Sequence, residues 1–456
     1  MSKIVVKFGG SNLKNPDDLK KIVRVVQTYN QPLVVVVSAL YGVTERLHEI
    51  LTRLGQHLDN MNELSLYLYE INKDIIERNI IDPELKAETE KGINSRLSEL
   101  EKYLIGIHFI GETPDFVKDV VLSYGERLSS YLTTAILNDN GIDSREILPE
   151  ELGLITNGKY GDASIDFESS ISSVSEKLSG NKTFVVPGFY GISLDGKVNI
   201  LGRGGSDYSA AAIAKCIDAK SLDIWKDVDG FLSADPKIVN KPVVIKNLNY
   251  NEAAELSYFG AKILHPRTVE PLIASNIKIK LYNINDYKQL NPVTIINGVS
   301  HIRESIVKSV TYADDISILK LKGVGVGIKP GILSKITTAF DINNINIKSV
   351  ITTQTAINFI LSKNDIITAT ELLKKLNLEI LYRIECVVDI SLIAVVGEGM
   401  VSQKGIANKV SGAIAKKDIN IEIMSLGASD VAAYFIVKTE DCLLAINEIH
   451  SEFFNN

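Results

Sequence analysis

Cysteine is scarce in this chain of 456 residues: only Cys216, Cys386 and Cys442 occur. Three thiols so far apart exclude a disulfide framework and a cysteine-rich zinc cluster. They read as small buried hydrophobes in a reducing compartment. A basic block is missing as well. Lysine and arginine number 49 against 56 acidic residues, for a net charge of −7, and they are spread along the chain. Neither nucleic acid nor a membrane surface is therefore indicated as a partner. No apolar run is long enough to span a bilayer. Residues 4–6 (Ile-Val-Val) open directly on a strand-like run, without a basic-then-apolar leader. Together these absences read as a cytoplasmic protein. The strict P-loop is also lacking: residues 191–198 come close, but Val198 stands where a metal-binding hydroxyl is required. That stretch reads as a hairpin turn. Gly323-Val324-Gly325-Val326-Gly327 lacks the third glycine of a dinucleotide fingerprint.

What the chain does have is glycine at strand ends. The densest stretch is Leu201-Gly202-Arg203-Gly204-Gly205-Ser206-Asp207-Tyr208. A short alternating run precedes it, and the alanine-rich residues 208–214 read as a helix start. Glycine lets backbone approach a ligand and adopt positive φ, and N–H groups at a helix start favour anions. The stretch therefore reads as strand, backbone nest and helix N-terminus, with one cation and one carboxylate placed inside it.

The length suits about three domains. Residues 3–11 form a buried-type strand ending in Gly9-Gly10, and a helix follows from Pro16-Asp17-Asp18, whose acids suit a first turn. Residues 32–39 are continuously apolar, as in a parallel sheet buried on both faces. Residues 45–119 read as a helical excursion, and Ser123-Tyr124-Gly125-Glu126 reads as the opening of a further helix. Strands alternating with helices up to about residue 297 make an α/β domain around a mainly parallel sheet. Beyond it an internal repeat appears. Residues 329–336 match 403–410 and residues 343–347 match 417–421, both at an offset of 74 (405 − 331; 419 − 345). Each copy reads strand, glycine turn, helix, strand, strand, helix, which suits two small α+β modules over residues 313–380 and 390–456.

Taken in order, several short stretches resemble the aspartate kinases of the amino-acid kinase family. They are Lys-Phe-Gly-Gly-Ser at 7–11, Ser-Tyr-Gly-Glu at 123–126, Gly-Arg-Gly-Gly-Ser-Asp at 202–207, Asp-Ile-Trp-Lys-Asp-Val-Asp-Gly at 223–230, Asp-Pro-Lys at 235–237 and Phe-Gly-Ala-Lys-Ile-Leu-His-Pro at 259–266. The twin modules resemble paired ACT domains that bind amino-acid effectors. The resemblance implies a three-layer αβα kinase domain over residues 1–297, followed by two ferredoxin-like ACT modules. It implies transfer of the ATP γ-phosphoryl group to the side-chain carboxylate of L-aspartate, giving 4-phospho-L-aspartate, the first step towards lysine, threonine and methionine, with feedback inhibition by an end-product amino acid at the ACT modules.

The same resemblance assigns roles. Lys7 is expected to bridge the β- and γ-phosphates, with Gly9, Gly10 and Ser11 holding phosphate oxygens. Asp207 is expected to orient Lys7 or the Mg²⁺ surroundings, not to act as a base, because the acceptor carboxylate is already ionised. Arg203 is expected to fork onto the α-carboxylate of aspartate, Glu126 to take its ammonium, and Ser38 and Thr44 to bond its oxygens. For the nucleotide the pattern points to Lys226, Asp227, Leu232, Lys237 and Lys262. Three of these depart from family expectation: Lys226 for Thr or Ser, Leu232 for Tyr, and Lys237 for Arg. Mg²⁺ is expected on the phosphates, held largely by water and substrate, so no residue is assigned as a metal ligand. The effector is expected at Val326, Lys329, Gly331, Ile332, Leu333, Ile347 and Lys348. The cation at Lys348 disfavours a dibasic effector, although Asp341 is close in sequence, so lysine and threonine both stand. The modules are expected to join a homodimer or homotetramer. The alternatives are a kinase for glutamate, acetylglutamate or a nucleoside monophosphate, and a catalytically silent amino-acid sensor.

Overall fold

The computed structural model describes residues 3–53, 59–261, 263–302, 306–400 and 402–454. Its central sheet has eight strands in the order Ser144–Glu146, Thr183–Pro187, Leu33–Val37, Ile4–Phe8, Ser221–Lys226, Ile279–Asn283, Thr294–Asn297 and Asn247–Asn249. Every neighbouring pair is parallel except Ile279–Asn283 with Thr294–Asn297. Ile4–Phe8 and Leu33–Val37 are buried at every residue. That is why Leu33–Val37 reads as an unbroken apolar run, while Ile4–Phe8 is broken by Lys7 alone: helices cover both faces. Asn15 caps the helix Pro16–Tyr29 by accepting from the N–H groups of Asp17 and Asp18.

Four helices, Val43–Arg53, Asp59–Asn79, Pro83–Ile110 and Asp115–Asp139, form the excursion. The last begins eight residues before the expected start at Ser123 and carries the helical region well past residue 119. Gly125 misled the sequence reading. It is a mid-helix residue, and it is glycine because a Cβ there would stand 2.7 Å from the Cβ of Ala39. Residues 190–200 are the expected hairpin: Tyr190–Ile192 pairs antiparallel with Val198–Ile200.

The chain forms two compact units. One is Met1–Leu232, Val244–Ser257 and Lys262–His301; the other is Ser233–Val243, Tyr258–Ala261 and Ile302–Asn456. The expected break at 297 is therefore incomplete, because two earlier segments belong with the C-terminal unit. Within that unit the Ser233 carbonyl accepts from Val310 N–H at 2.8 Å, and its hydroxyl pairs with His450 Nε2 at 2.8 Å. Ala234 and Val239 share a core with Phe435 and Ile446.

The C-terminal unit holds two four-stranded antiparallel sheets. One runs Ile347–Thr352, Ala356–Leu361, Ser317–Lys322, Arg383–Val387; the other runs Ile423–Ser425, Ala432–Lys438, Ile390–Val396, Ser309–Ala313. The repeat and its element order are as expected, and Gly331 and Gly405 each precede a helix at φ 84° and 89°. The expected boundaries at 313–380 and 390–456 miss the fourth strand of each sheet. In the first module it follows the last helix. In the second it is Ser309–Ala313, which pairs with Ile390–Val396. The second module thus closes around the first in sequence, and because the fourth strand sits at opposite ends of the two copies, the repeat cannot reveal it. Of the cysteines, Cys216 and Cys442 are buried as expected, but Cys386 is exposed on the strand Arg383–Val387.

Candidate active site

Lys7 lies in the middle of the sheet, beside Val36 on one neighbour and Ile224 on the other. Its ammonium pairs with Asp207 Oδ1, and Lys226 Nζ reaches Asp207 Oδ2 at 3.3 Å. Asp207 sits in the first turn of the helix Gly205–Cys216, where a carboxylate suits the helix dipole. One carboxylate is therefore held by two ammonium groups from adjacent strands. Lys7 is only 4% exposed and Asp207 6%. Burial pulls the Lys7 ammonium below its ordinary value against the attraction of Asp207. Burial also pushes the Asp207 carboxyl up, but Lys226 and Lys7 more than reverse this and hold it well below the carboxylate range.

Glu126 joins this cluster through the close helix approach at Gly125. Its Oε1 accepts from the Ser206 hydroxyl at 3.3 Å, while the buried Oε2 has no hydrogen-bond partner. Burial pushes the carboxyl up to about 8, against the hydrogen bonds from Ala39 and Ser206. Near pH 7 Glu126 is therefore mostly neutral. Ser38 knits the adjoining turn: its N–H donates to the Phe8 carbonyl at 3.1 Å, and its carbonyl accepts from the Ser129 hydroxyl at 2.6 Å. Thr44 lies beside Gly125, its Oγ1 at 3.7 Å from the position a Cβ would take.

The glycines serve two different ends. Gly204 has φ 72°, and a Cβ on it would stand 2.3 Å from the Cβ of His265. That residue needs both the left-handed backbone and the space. Gly9 is extended, at φ −80° and ψ 168°, and a Cβ on it would stand 3.2 Å from Lys7 Nζ. Glycine is there to leave the ammonium open, not to turn the chain. Ser11 hydrogen-bonds Asp227, and Lys14 Nζ meets the same carboxylate at 2.9 Å. Arg203 is exposed on the turn, and burial together with the charges of Arg267 and Arg203 holds the His265 imidazole below its ordinary value.

The structure thus brings Lys7, Gly9, Glu126, Asp207 and Lys226 together, with Ser38 and Thr44 along the adjoining turn. Lys226 faces Asp207 beside Lys7. Leu232 is half-buried and bridges Val244; Lys237 is exposed in a segment of the C-terminal unit; Lys262 lies outside the described residues. The sequence reading missed Ser206, Lys14 and Arg267. Arg267 ties the loop before Gly202 by donating to Asp162 and the Leu201 carbonyl, both at 2.8 Å, and to Ala163 at 2.6 Å. Proximity to the glycine motifs was the available sign for the first two, and Arg267 directly follows the stretch 259–266. Among the described residues no group of three His, Cys, Asp or Glu side chains could hold a metal ion. No helix among them is long and apolar enough to cross a membrane.

In the first C-terminal module the expected effector residues fall on one turn and one strand. Val326 is buried, Lys329 and Gly331 are exposed, and Ile332 and Leu333 open the helix Ile332–Ile342. A Cβ on Gly327 would stand 1.8 Å from the Thr353 carbonyl oxygen, so the turn lies against the chain just beyond the strand Ile347–Thr352. Ile347 and Lys348 lie at the start of that strand. The charge partner of Lys348 is Asp315, not Asp341: Lys348 Nζ donates to the Asp315 carbonyl at 2.7 Å and lies 3.7 Å from its carboxylate.

A mainly parallel sheet whose strand ends carry a glycine nest and buried ammonium groups defines an α/β domain with a candidate ligand site at its strand ends, and paired α+β modules follow it in sequence. Residues 2–283 match the amino acid kinase family, and residues 393–453 match an ACT domain. The chain belongs to the amino acid kinase family. It is 29% identical over 466 residues to the bifunctional aspartokinase/homoserine dehydrogenase of Buchnera aphidicola, covering 99% of this chain and 56% of that protein. It is 28% identical over 470 residues to aspartokinase 1, chloroplastic, of Arabidopsis thaliana, covering 99% of this chain and 80% of that one. The chain spans about half the length of the bifunctional relatives it matches. In fold it superposes on E. coli aspartokinase III in complex with aspartate and ADP, with a TM-score of 0.84, 24% identity, and coverage of 99% and 100% of the two chains.

Proposed function

We propose that this chain transfers the γ-phosphoryl group of ATP to the side-chain carboxylate of L-aspartate, giving 4-phospho-L-aspartate and ADP. The observation that carries the reading is the buried Lys7–Asp207–Lys226 cluster beside a neutral Glu126. It holds more positive than negative charge at the end of a glycine turn. Bringing a triphosphate up to a carboxylate requires repulsion to be neutralised and the groups aligned, and no general base is needed.

In this reading Lys7 and Lys226 meet the β- and γ-phosphate oxygens, and the backbone of Gly9, Gly10 and Ser11 lies along them. Asp207 holds both ammonium groups in place. An oxygen of the aspartate side chain attacks the γ-phosphorus as the bridging bond to the β-phosphate breaks, and ADP departs. Arg203 grips the α-carboxylate, and Glu126 releases its proton to solvent on pairing with the substrate ammonium. Ser38 and Thr44 face the substrate oxygens. Mg²⁺ arrives on the nucleotide, since Asp207 is already engaged on both oxygens; when bound it neutralises phosphate charge.

The first ACT module takes an end-product amino acid, lysine or threonine, at the turn around Val326 to Leu333. With Lys348 already paired to Asp315, the charge argument against lysine weakens. The outer strands Ile347–Thr352 and Ile423–Ser425 suit pairing across a two-fold axis to form a homo-oligomer. A cytoplasmic location fits this reading.

The test is ADP release by the purified chain with Mg·ATP and one amino acid at a time. Release with aspartate, and not with glutamate or with none, is expected. Arg203→Ala should raise the aspartate KM by about 10²-fold, as for a lost charge-assisted fork, and leave the ATP KM nearly unchanged. Equal loss on both substrates would refute the assignment.

A further inference from the structure

We infer that the cavity on the far side of the helix Asp115–Asp139 from Glu126 is a second small-molecule site, suited to a free α-amino acid with an apolar or aromatic side chain. The inference goes beyond the phosphoryl-transfer reading and does not depend on it. The cavity measures about 260 Å³, just under the range of roughly 300–1,000 Å³ typical of drug-sized ligands, which suits a ligand of amino-acid size. Tyr103 and Tyr124 supply aromatic surface, their ring centroids 6.3 Å apart, and Phe116 is 45% exposed beside them.

The charges narrow the ligand class. Arg127 is already committed: it pairs with Glu150, donates to the Ser123 hydroxyl at 2.9 Å, and lies 4.7 Å from the Tyr190 ring centroid. Its role is to brace the wall. Two further charged groups line the cavity. Glu99 accepts from the Tyr124 hydroxyl. Lys197, on the hairpin turn, lies 5.7 Å from the Phe116 ring centroid and 3.5 Å from Asp195. One carboxylate and one ammonium match the two ends of a zwitterion, with the rings left for its side chain. A polyanion is disfavoured, because Glu99 and Glu150 both line the cavity.

The walls also lead to the phosphoryl-transfer cluster. On the helix Asp115–Asp139, Tyr124 and Arg127 face the cavity, and Glu126 faces Ser206. Asp119, on the same helix, accepts from the N–H groups of Ile200 and Gly161, each at 3.0 Å. The strand Val198–Ile200 that closes the cavity is thus fastened to that helix two residues before Gly202. Occupancy therefore bears on the placement of Glu126 and of the turn that carries Ser206 and Asp207.

The test is isothermal titration of the full chain with L-phenylalanine, L-leucine and L-lysine, followed by the same titrations on Tyr103→Ala, Lys197→Glu and Lys348→Ala. L-phenylalanine or L-leucine should bind. Affinity should fall roughly tenfold in each of the first two variants, as for the loss of one aromatic contact or one charge pair, and stay unchanged in the third. Lys197 is exposed, so its variant keeps the fold even if Tyr103→Ala does not. No binding, binding indifferent to Lys197→Glu, or binding lost only in Lys348→Ala would overturn the inference. Failure to release ADP with any amino acid would sink the kinase reading and leave the titrations standing.

Discussion

Replacing Asp207 with asparagine isolates what the buried cluster does. The side chains of Lys7, Asp207 and Lys226 are 5%, 9% and 20% exposed. Asp207→Asn leaves the Lys7 ammonium buried with no full counter-charge, and removing one partner of such a pair costs about 3–5 kcal/mol. The lower end applies, because Lys226 is open enough to turn towards water. Lys7→Met leaves Asp207 still bound to Lys226 and should cost less. The double variant removes the buried pair altogether, which is often close to neutral, so stability should largely return. Activity should behave differently. Each single variant should lower kcat by about 10²–10³-fold, the usual loss on removing one fixed electrostatic stabiliser, and the double variant should recover none of it. Trp225, the only tryptophan, is fully buried on the strand beside that of Lys7, so its fluorescence during urea unfolding reports on this unit. ADP release at saturating substrates gives kcat. A double variant as unstable as Asp207→Asn, or one whose turnover returns along with its stability, would refute the reasoning.

Gly204→Ala should destabilise the first unit by at least about 2 kcal/mol, since it adds left-handed strain to overpacking against His265; an unchanged urea midpoint would contradict the geometry. Glu126→Gln should flatten the pH dependence of stability between about 4.5 and 8. The folded carboxyl titrates near 8 and an unfolded one near 4.5, so across that window the folded chain holds the extra proton and stability falls as pH rises. Urea midpoints at pH 5 and pH 8 measure the slope, and an equal slope in the variant would show that Glu126 is not its source.

Much of the sheet was legible because its strands are buried on both faces, and full burial leaves an apolar run that needs no partner to be recognised. The repeat was legible for a similar reason: the same turn glycine and helix stripe recur at a fixed offset. The fourth strand of each module was not. Ser309–Ala313 and Arg383–Val387 differ in burial and flank, and only pairing distinguishes them from linkers. Residues 233–243 and 258–261 were likewise assigned by position in the chain, whereas Ser233, Val239 and Phe259 are held by side chains hundreds of residues away or on the next module. At the site, Lys7, Glu126 and Asp207 lie on or beside glycine motifs that mark close backbone approach. The pairing of Lys226 with Asp207 follows instead from the register of two neighbouring strands, which no local spacing records.

The charge balance of the cluster bears on how two anionic substrates could share one site. It sets the two ammonium groups of Lys7 and Lys226 against the single carboxylate of Asp207, beside a Glu126 that is mostly neutral near pH 7. Asp227 does not redress that imbalance, being tied to Lys14 and Ser11. In the proposed reaction phosphate oxygens would redress it and draw the Lys7 proton on more tightly, opposing the pull of burial. An amino-acid ammonium at Glu126 would do the reverse to that carboxyl and favour its ionised form, so the second substrate would bring a positive charge and expose a negative one. The acceptor's reacting carboxylate then meets phosphates whose charge has already been countered from the other side. In the proposed reaction a permanently ionised glutamate at position 126 would cancel the remaining positive charge before the nucleotide came; its burial against Ser206 would keep the anion in reserve until the amino acid is present.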